Sequence, residues 1–199
     1  MKPQKPTSSR ECRSRASHRP TPRRSESAWE EAVRSDRLLY EPLGPAQLDD
    51  FHRLVRDEHI RRYLLDGQVL PREWSEERVR ESQALCERHG IGLWLARERH
   101  SRELVGFCGF IELPSNELGP ELVYALFERF TGQSYATEMA RAAITHARAQ
   151  AGMREFVATV DEINAASLHI LEKLGFERIS TQSGSFGNLL VLRLADTQR

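Results

Sequence analysis

The feature that most constrains the fold is a central stretch in which a strand, a glycine turn, a long helix and another strand follow one another. Leu122 to Phe127 has the apolar pattern of a strand, and residues 154 to 160 have it again. Between them, apolar residues share one face of a 3.6-residue period, and Gly152 stands where a left-handed helix cap is expected. This succession predicts a protein of the α/β (α+β) class.

Other periodic segments complete the predicted fold. The predicted strands are residues 37–41, 91–96, 104–113, 122–127, 154–160, 176–180 and 188–194. The predicted helices start near Pro45, Ser75, Ser134 and Asn164, with a further helical piece around residues 60–64. The predicted order is β-α-α-β-β-β-α-β-α-β-β, with about seven strands and about four helices. A chain of 199 residues is long enough for one well-buried core.

The first 35 residues differ in composition from the rest. They hold nine Lys or Arg against four Glu, so a segment of net charge +5 precedes a body of −5. Arg, Ser, Pro and Thr dominate it, and such a segment cannot bury enough apolar area to offset the entropy of ordering. We predict a disordered basic arm over residues 1–35 and one folded domain over residues 36–199. The arm is a solvated tail or, alternatively, a segment that attracts phosphate backbones.

Composition also excludes several classes of protein. Cys12, Cys86 and Cys108 lack C-x-x-C spacing and a matching His cluster, so neither a disulfide framework nor a metal site is indicated. No apolar run approaches the ~20 residues of a membrane span, and the first 35 residues lack the apolar stretch of a secretory signal. A cytoplasmic protein without a membrane partner is therefore expected, as a monomer or homodimer.

The segment Arg129–Tyr135 lies between a strand and the first turn of the long helix. The first amides of a helix have no internal partners and, together with the helix dipole, favour an anion such as a pyrophosphate. Gly132 permits a tight turn, and Ser134 is a candidate helix cap. These residues predict an anion-binding loop.

A second interpretation of the same loop is a nucleophile elbow. Residues 132–136 approximate the G-x-S-x-G pattern, and Asp161 and His169 follow in the order of the serine hydrolases. The second Gly is missing, however, and no oxyanion segment is visible. The hydrolase interpretation is therefore the weaker of the two.

Two blocks of the sequence resemble the GNAT superfamily of N-acetyltransferases. Residues 129–134, Arg-Phe-Thr-Gly-Gln-Ser, are similar to its Q/R-x-x-G-x-G/A signature, with Ser134 in place of the last small residue. Residues 135–139 resemble the G-Y-A-T-E-A run of the branch that includes the ribosomal-protein N-terminal (alanine) acetyltransferases, and residues 164–176 resemble its N-x-x-S helix and E-K-L-G-F ending. The resemblance covers residues 36 to about 195. It implies the GNAT fold, a mixed, mostly antiparallel sheet that opens between two strands to admit pantetheine.

The resemblance also implies the ligands and the residues that bind them. Acetyl-CoA would be the acyl donor, and the acceptor would be an amine, with a protein N-terminus favoured over a small molecule. Main-chain groups of Leu126 and Phe127 would align the pantetheine, and Asn164 would bind it near the thioester. The main-chain amides that would hold the pyrophosphate are those of Arg129, Phe130, Thr131, Gly132, Gln133, Ser134 and Tyr135. No metal is required.

Direct acetyl transfer needs a base for the ammonium group and an acid for the departing thiolate. Many members of the family use a Tyr as the acid, but Leu171 stands at that position. By the same resemblance, Ser167 occupies the position that the ribosomal-protein branch supplies with Ser, and it is the candidate acid here. Glu121 is the first candidate base and Glu112 the second; Trp74 packs in the core or lines an acceptor pocket. Ser167 could equally be an ordinary first-turn helix residue, and either glutamate a solvated strand end.

An interpretation of a different class stays open at the level of sequence. The chain could be a GNAT-like module that binds acyl-CoA without turnover and docks on RNA or a ribosome through the basic arm. Release of free thiol from acetyl-CoA in the presence of amines or peptides would distinguish the two.

Overall fold

The computed structural model describes residues 33–113, 118–184 and 187–195. The predicted disordered arm covers residues 1–35, of which residues 1–32 lie outside the described residues. Residues 33–35, which the composition had placed in the arm, belong to the folded part. Val33 pairs with Tyr40 and Arg34 pairs with Leu39, so the sheet begins before the predicted boundary.

Eight strands form one sheet in the described part of the chain. They are β1 (Val33–Arg34), β2 (Leu38–Pro42), β3 (Leu93–Glu98), β4 (Leu104–Ile111), β5 (Glu121–Leu126), β6 (Glu155–Asp161), β7 (Glu177–Gly184) and β8 (Gly187–Ala195). Their order across the sheet is β1-β2-β3-β4-β5-β6-β8-β7, and every pairing except β5 with β6 is antiparallel. The predicted mixed, mostly antiparallel sheet is confirmed, with the two-residue β1 as an addition.

Five α-helices accompany the sheet in the described part. They are α1 (Leu48–Val55), α2 (Glu58–Leu64), α3 (Arg72–His89), α4 (Tyr135–Ala151) and α5 (Ala165–Lys173). Three helices precede β3 where the predicted order had two, because the Asp57 side chain accepts from the amides of His59 and Ile60 and starts a separate helix there. None of the described helices combines the length and the apolar character needed to cross a membrane.

The start of α3 differs from the prediction. The helix begins three residues before Ser75, directly after Pro71. Ser75 is fully buried, and its hydroxyl lies 2.9 Å from Nδ1 of His52 on α1. The serine that resembled a helix cap therefore joins two helices.

The sheet separates two apolar clusters. On one face, which we call the α4 face, buried residues of α4 and α5 cluster with Phe156 and Leu122. On the other, the α3 face, residues of α1, α2 and α3 cluster with Phe107 and Val123. Because side chains alternate along a strand, odd-numbered residues of β5 point to the α3 face and even-numbered residues to the α4 face.

The sheet is open between β5 and β6. The only register pair that joins these two parallel strands in the described part is Glu121 with Val157, so the strands separate beyond it. On its other side β5 is fully paired, and the amide of Phe127 donates to the carbonyl of Val105 at 3.0 Å. Hydrogen bonding alternates along an antiparallel ladder, so main-chain groups of Tyr124 and Leu126 face the opening.

Candidate functional site

A cavity of about 1240 Å³ lies at the opening between β5 and β6. Residues of both sheet faces line it, including Tyr124 and Ser167 on the α4 face and Trp74 and Arg78 from α3. A space of this size is larger than most small-ligand pockets, which measure about 300 to 1,000 Å³. The cavity therefore suits an extended ligand and a second molecule that meet inside the sheet.

The loop before α4 borders one part of the cavity. Gly132 and Ser134 both have left-handed backbone angles, with φ of 72° and 63°. Apart from Gly132 itself and its two chain neighbours, no described atom lies within 4 Å of the place where a Cβ on Gly132 would stand. The backbone angle, and not a lack of room, therefore favours glycine there. Ser134 precedes α4 but makes no side-chain cap hydrogen bond, contrary to the prediction. The amides of the first turn of α4 thus have neither an intrahelical partner nor a serine cap.

The residues predicted to hold a pyrophosphate divide into two groups. Those that line the cavity are Phe130, Thr131, Gly132, Ser134 and Tyr135. Arg129 and Gln133 lie outside the lining. The Arg129 guanidinium donates to Oε1 of Glu103 at 2.8 and 3.0 Å, and the Gln133 side chain donates to the carbonyl of Arg129 at 2.9 Å. These two side chains therefore bind to other groups of the protein and do not line the cavity.

Of the two residues predicted to align a pantetheine, one lines the cavity and the other does not. Leu126 lines the cavity, and its main chain faces the opening. Phe127 is outside the lining. Both of its main-chain groups are already bonded within the protein: its amide donates to the carbonyl of Val105, and its carbonyl accepts from the amide of Phe130 at 3.0 Å. Leu126, together with Tyr124, therefore offers the strand edge that an extended ligand can pair with.

Glu138 of α4 ties the loop to the start of the sheet. Its carboxylate accepts hydrogen bonds from the Ser35 hydroxyl at 2.6 Å, the Arg37 amide at 2.9 Å and Arg37 Nε at 2.8 Å. Arg37 also donates to the carbonyl of Gln133 at 2.9 Å and lies 4.2 Å from the centre of the Tyr135 ring. Burial opposes ionisation of Glu138, but the hydrogen bonds from Ser35 and Arg37 and the Arg37 charge outweigh it and lower the pKa of this carboxyl.

We expect Glu138→Gln to reduce the free energy of unfolding by about 1 to 3 kcal/mol at pH 7, because a charged acceptor of several hydrogen bonds is lost. The folded-state pKa is the lower one, so this contribution is complete above the ordinary pKa of Glu and disappears as pH falls through the folded-state value. Urea denaturation at a series of pH values measures the difference. Glu77→Gln, at an exposed position of α3, is the matched control. A difference that stays constant with pH would contradict the assignment.

Helix α5 brings Asn164 and Ser167 to the cavity. Oδ1 of Asn164 accepts from the amide of Ser167 at 3.1 Å, so Asn164 caps the helix as predicted and leaves Nδ2 as the group that can donate to a ligand. Leu171, at the position where the family often has Tyr, is buried and also lines the cavity.

Tyr124 is a site residue that the sequence reasoning missed. Its hydroxyl donates to the carbonyl of Ser167 at 3.3 Å and so reaches from β5 to α5 across the opening. Burial raises the pKa of Tyr124 to about 12, against the opposing effect of the hydrogen bond to Ser167. The phenol is therefore protonated at physiological pH. Strand alternation from Glu121 was the signal that could have placed it on the α4 face.

The two candidate bases have different surroundings. Glu121 lines the cavity, is only 8% exposed and accepts a hydrogen bond from the Thr159 hydroxyl on β6. Glu112 lies outside this cavity and pairs with Arg88 at 2.6 Å. Of the two, the structure brings only Glu121 to the opening.

The α3 side of the cavity carries aromatic and acidic residues. Trp74 stacks on Phe51 with ring centres 6.3 Å apart and has the Arg78 guanidinium 5.4 Å from its own ring centre. Asp66 and Asp161 both line the cavity; burial and then the charge of Asp66 raise the pKa of Asp161. The acidic lining residues are Asp66, Glu121, Glu128 and Asp161, against Arg78 and Lys173 as the Lys and Arg residues. With Asp66, Glu121 and Asp161 on the α3 side, this balance favours a cationic ligand on that side of the cavity.

The hydrolase interpretation finds no support in the geometry. Ser134, Asp161 and His169 all line the cavity, but in the described part of the chain no hydrogen bond joins their side chains. A nucleophile and its base need such contact or one water between them. Within the same residues, no group of three or more His, Cys, Asp or Glu is placed to hold a metal ion.

Comparison with known proteins identifies the class to which this fold and site belong. Residues 37–177 match the family described as acetyltransferase (GNAT) domain. The match spans more than half of the chain, and the protein therefore belongs to the GNAT family of acetyltransferases. The resemblance inferred from residues 129–139 and 164–176 is confirmed.

Three individual proteins are similar to this chain in sequence or in structure. The chain is 29% identical over 134 residues to the uncharacterized protein YkkB of Bacillus subtilis, covering 66% of this chain and 76% of YkkB. It is similar in structure to an acetyltransferase from Agrobacterium tumefaciens, with a TM-score of 0.70, 21% identity and coverage of 83% and 94% of the two chains. It is also similar to RimL, a ribosomal L7/L12 alpha-N-protein acetyltransferase in complex with coenzyme A, with a TM-score of 0.70, 19% identity and coverage of 83% and 98%. At these identities the structural likeness concerns the fold alone.

Proposed function

We propose that this GNAT acetyltransferase transfers the acetyl group of acetyl-CoA to a primary amine, with a protein N-terminus favoured over a small molecule. The observation that carries the proposal is a cavity through the sheet, with uncapped helix amides on the α4 face and the buried Glu121 carboxylate on the α3 face. A donor and an acceptor that approach from opposite faces would meet between β5 and β6.

The residues present fit acetyl-CoA. First-turn amides of α4 suit its pyrophosphate, and the open edge of β5 at Tyr124 and Leu126 suits the amides of its pantetheine. When bound, it supplies the thioester carbonyl carbon that an amine attacks. Glu121 takes a proton from the ammonium form of the acceptor, directly or through water, and a main-chain amide of β5 donates to the oxyanion.

The preference for a protein N-terminus has two supports. Residues 135–139 and 164–176 resemble the ribosomal-protein branch of the family, and RimL, which shares the fold, acts on the N-terminus of a ribosomal protein by its name. In addition, Asp66, Asp161 and Trp74 line the α3 side of the cavity, which is therefore acidic and partly aromatic. Such a lining suits a cationic N-terminus followed by a side chain.

The acceptor is tested by measuring thiol release from acetyl-CoA with a mixture of small amines and short peptides, followed by mass spectrometry of the products. Peptides with free and with blocked N-termini, otherwise identical, separate transfer to the α-amine from transfer to Lys. A mass increase only in the free peptides supports the proposal. Binding of coenzyme A without thiol release from any acceptor would support the non-catalytic alternative instead.

Ser167→Ala is expected to lower kcat roughly tenfold, the effect of one lost hydrogen bond to a developing charge, while the affinity for acetyl-CoA changes little. Ser167 lines the cavity one turn from Leu171, so its hydroxyl can reach the same region. Ser180→Ala, at an exposed position of β7, is the control. Unchanged turnover in Ser167→Ala would remove this residue from the mechanism.

A further inference from the structure

We propose that Tyr124 is a catalytic residue, whose phenolic O–H donates a hydrogen bond to the sulfur atom of the thioester as the thiolate departs. The inference rests on the proposed acetyl transfer and assigns the stabilisation of its leaving group. Neither the family signature nor the helix position now held by Leu171 points to this residue.

The position of the phenol supports this role. Tyr124 lies in the part of β5 that has separated from β6, and its side chain points to the α4 face, the same face as the loop of Gly132. Glu121 is three residues earlier on the strand, and its side chain points to the α3 face. An amine activated by Glu121 would attack from one face of the sheet, so the leaving group would depart towards the other, where Tyr124 is.

The present hydrogen bond of Tyr124 is easily exchanged. The O–H···O distance to the carbonyl of Ser167 is 3.3 Å, beyond the usual range of about 2.5 to 3.0 Å. That carbonyl lies inside α5, where the helix supplies it with an amide donor four residues later. A thiolate is a charged acceptor and forms the stronger bond, so the phenol can turn from Ser167 to the sulfur without leaving a carbonyl unpaired.

The pKa of the phenol determines whether Tyr124 transfers a proton to the thiolate or only donates a hydrogen bond to it. With a pKa of about 12, Tyr124 holds its proton more tightly than a thiol, for which the side chain of Cys gives about 8.5. Tyr124 therefore donates a hydrogen bond to the thiolate and keeps its proton. This differs from full proton transfer by an acid.

The step balances with Glu121 as the base. The amine nitrogen forms a bond to the acyl carbon, and the C–S bond breaks with its electron pair going to sulfur. The acceptor loses one proton before attack and another as the amide forms, and Glu121 passes both to solvent, directly or through water. The thiolate later takes one proton from solvent, so the net reaction releases one.

The test compares Tyr124→Phe with the wild-type protein in two assays. In the first, kcat for acetyl transfer should fall about 10- to 100-fold, while the dissociation constant of acetyl-CoA, measured by calorimetry, changes less than about threefold. In the second, ultraviolet titration of bound coenzyme A follows ionisation of its thiol without any acceptor. We expect about tenfold fewer bound thiols to be ionised at a given pH in the variant.

Tyr40→Phe is the matched control. Tyr40 is buried, lies outside the cavity lining and has its hydroxyl 3.1 Å from the Ser35 hydroxyl, so its loss affects stability without touching the site. Tyr40→Phe should leave kcat and the thiol titration within twofold of wild type.

Two results would overturn the role of Tyr124: a thiol titration in Tyr124→Phe that coincides with wild type, or a fall in kcat matched by an equal loss of acetyl-CoA affinity. Failure of the proposed acetyl transfer would give other results in the same assays. If no amine acceptor gives thiol release but the two titrations differ, acetyl transfer is wrong and the contact between Tyr124 and sulfur stands. If coenzyme A does not bind at all, both are wrong.

Discussion

Glu121→Gln is expected to lower kcat for an amine acceptor by about 100-fold at neutral pH, the effect typical of a lost general base. Glutamine has the shape of glutamate and can still accept the hydrogen bond from Thr159, so the fold and the affinity for acetyl-CoA should be preserved. What it cannot do is take a proton from the acceptor. Because neutral amine also forms in solution at high pH, the variant should recover activity as pH approaches the pKa of the amine. Steady-state rates from pH 6 to pH 10 measure both effects.

Glu112→Gln provides the control for this experiment. Glu112, the second candidate base from the sequence, follows β4 and pairs with Arg88 outside the cavity. Its replacement should leave kcat within about twofold of wild type, as for other surface changes. Equal losses in both variants, or a loss in Glu121→Gln that high pH does not reduce, would rule out Glu121 as the base.

Gly106→Ala is expected to destabilise the fold strongly, with a loss of about 3 kcal/mol or more in the free energy of unfolding. Gly106 lies on β4 directly opposite Leu126, and an added Cβ would stand 2.1 Å from the carbonyl oxygen of Ala125 and 2.7 Å from the Cα of Leu126. Both are main-chain atoms, so β5 itself must move. The midpoint of thermal unfolding should fall by roughly 6 to 12 °C.

The displacement should also reach the site, because Leu126 is part of the strand edge that faces the opening. Coenzyme A affinity of the folded Gly106→Ala protein, measured by calorimetry below its melting temperature, is expected to fall as well. Gly44→Ala is the control: its φ is −136°, and the new Cβ would meet Oε1 of Gln47 at an ordinary 3.5 Å. A Gly106→Ala protein as stable as Gly44→Ala would contradict the close approach of β4 and β5 at Gly106.

Features that depend on neighbours along the chain were predicted well. Helix α4 runs from Tyr135 to Ala151 and ends at Gly152 with φ of 65°, as its 3.6-residue period and its left-handed cap indicated. Asn164 caps α5 through its own side chain. In each case the signal and the partner lie within a few residues, so local geometry determines the result.

Features that depend on distant partners were missed or misplaced. Ser75 has the local pattern of a cap, but it lies inside α3, where its hydroxyl contacts His52 of α1. The β1 strand, Val33–Arg34, is two residues long, too short for a recognisable pattern in the sequence, and it pairs with β2. Tyr124 donates to the carbonyl of Ser167, 43 residues away, so strand alternation could indicate its face of the sheet but not this partner.

For this protein, the sequence by itself determined the kinds and order of most elements, the glycine loop before α4 and the membership in an acetyltransferase family. These follow from periodicity, backbone angles and motifs that are read locally. Only the tertiary structure decided which side chains face the opening: it places Glu121, the first candidate base, in the cavity lining and Glu112 outside it, and it brings Tyr124 beside Ser167. The physical reason is that the opening is made by the separation of β5 from β6, and that separation depends on how two strands far apart in the chain are paired within one sheet.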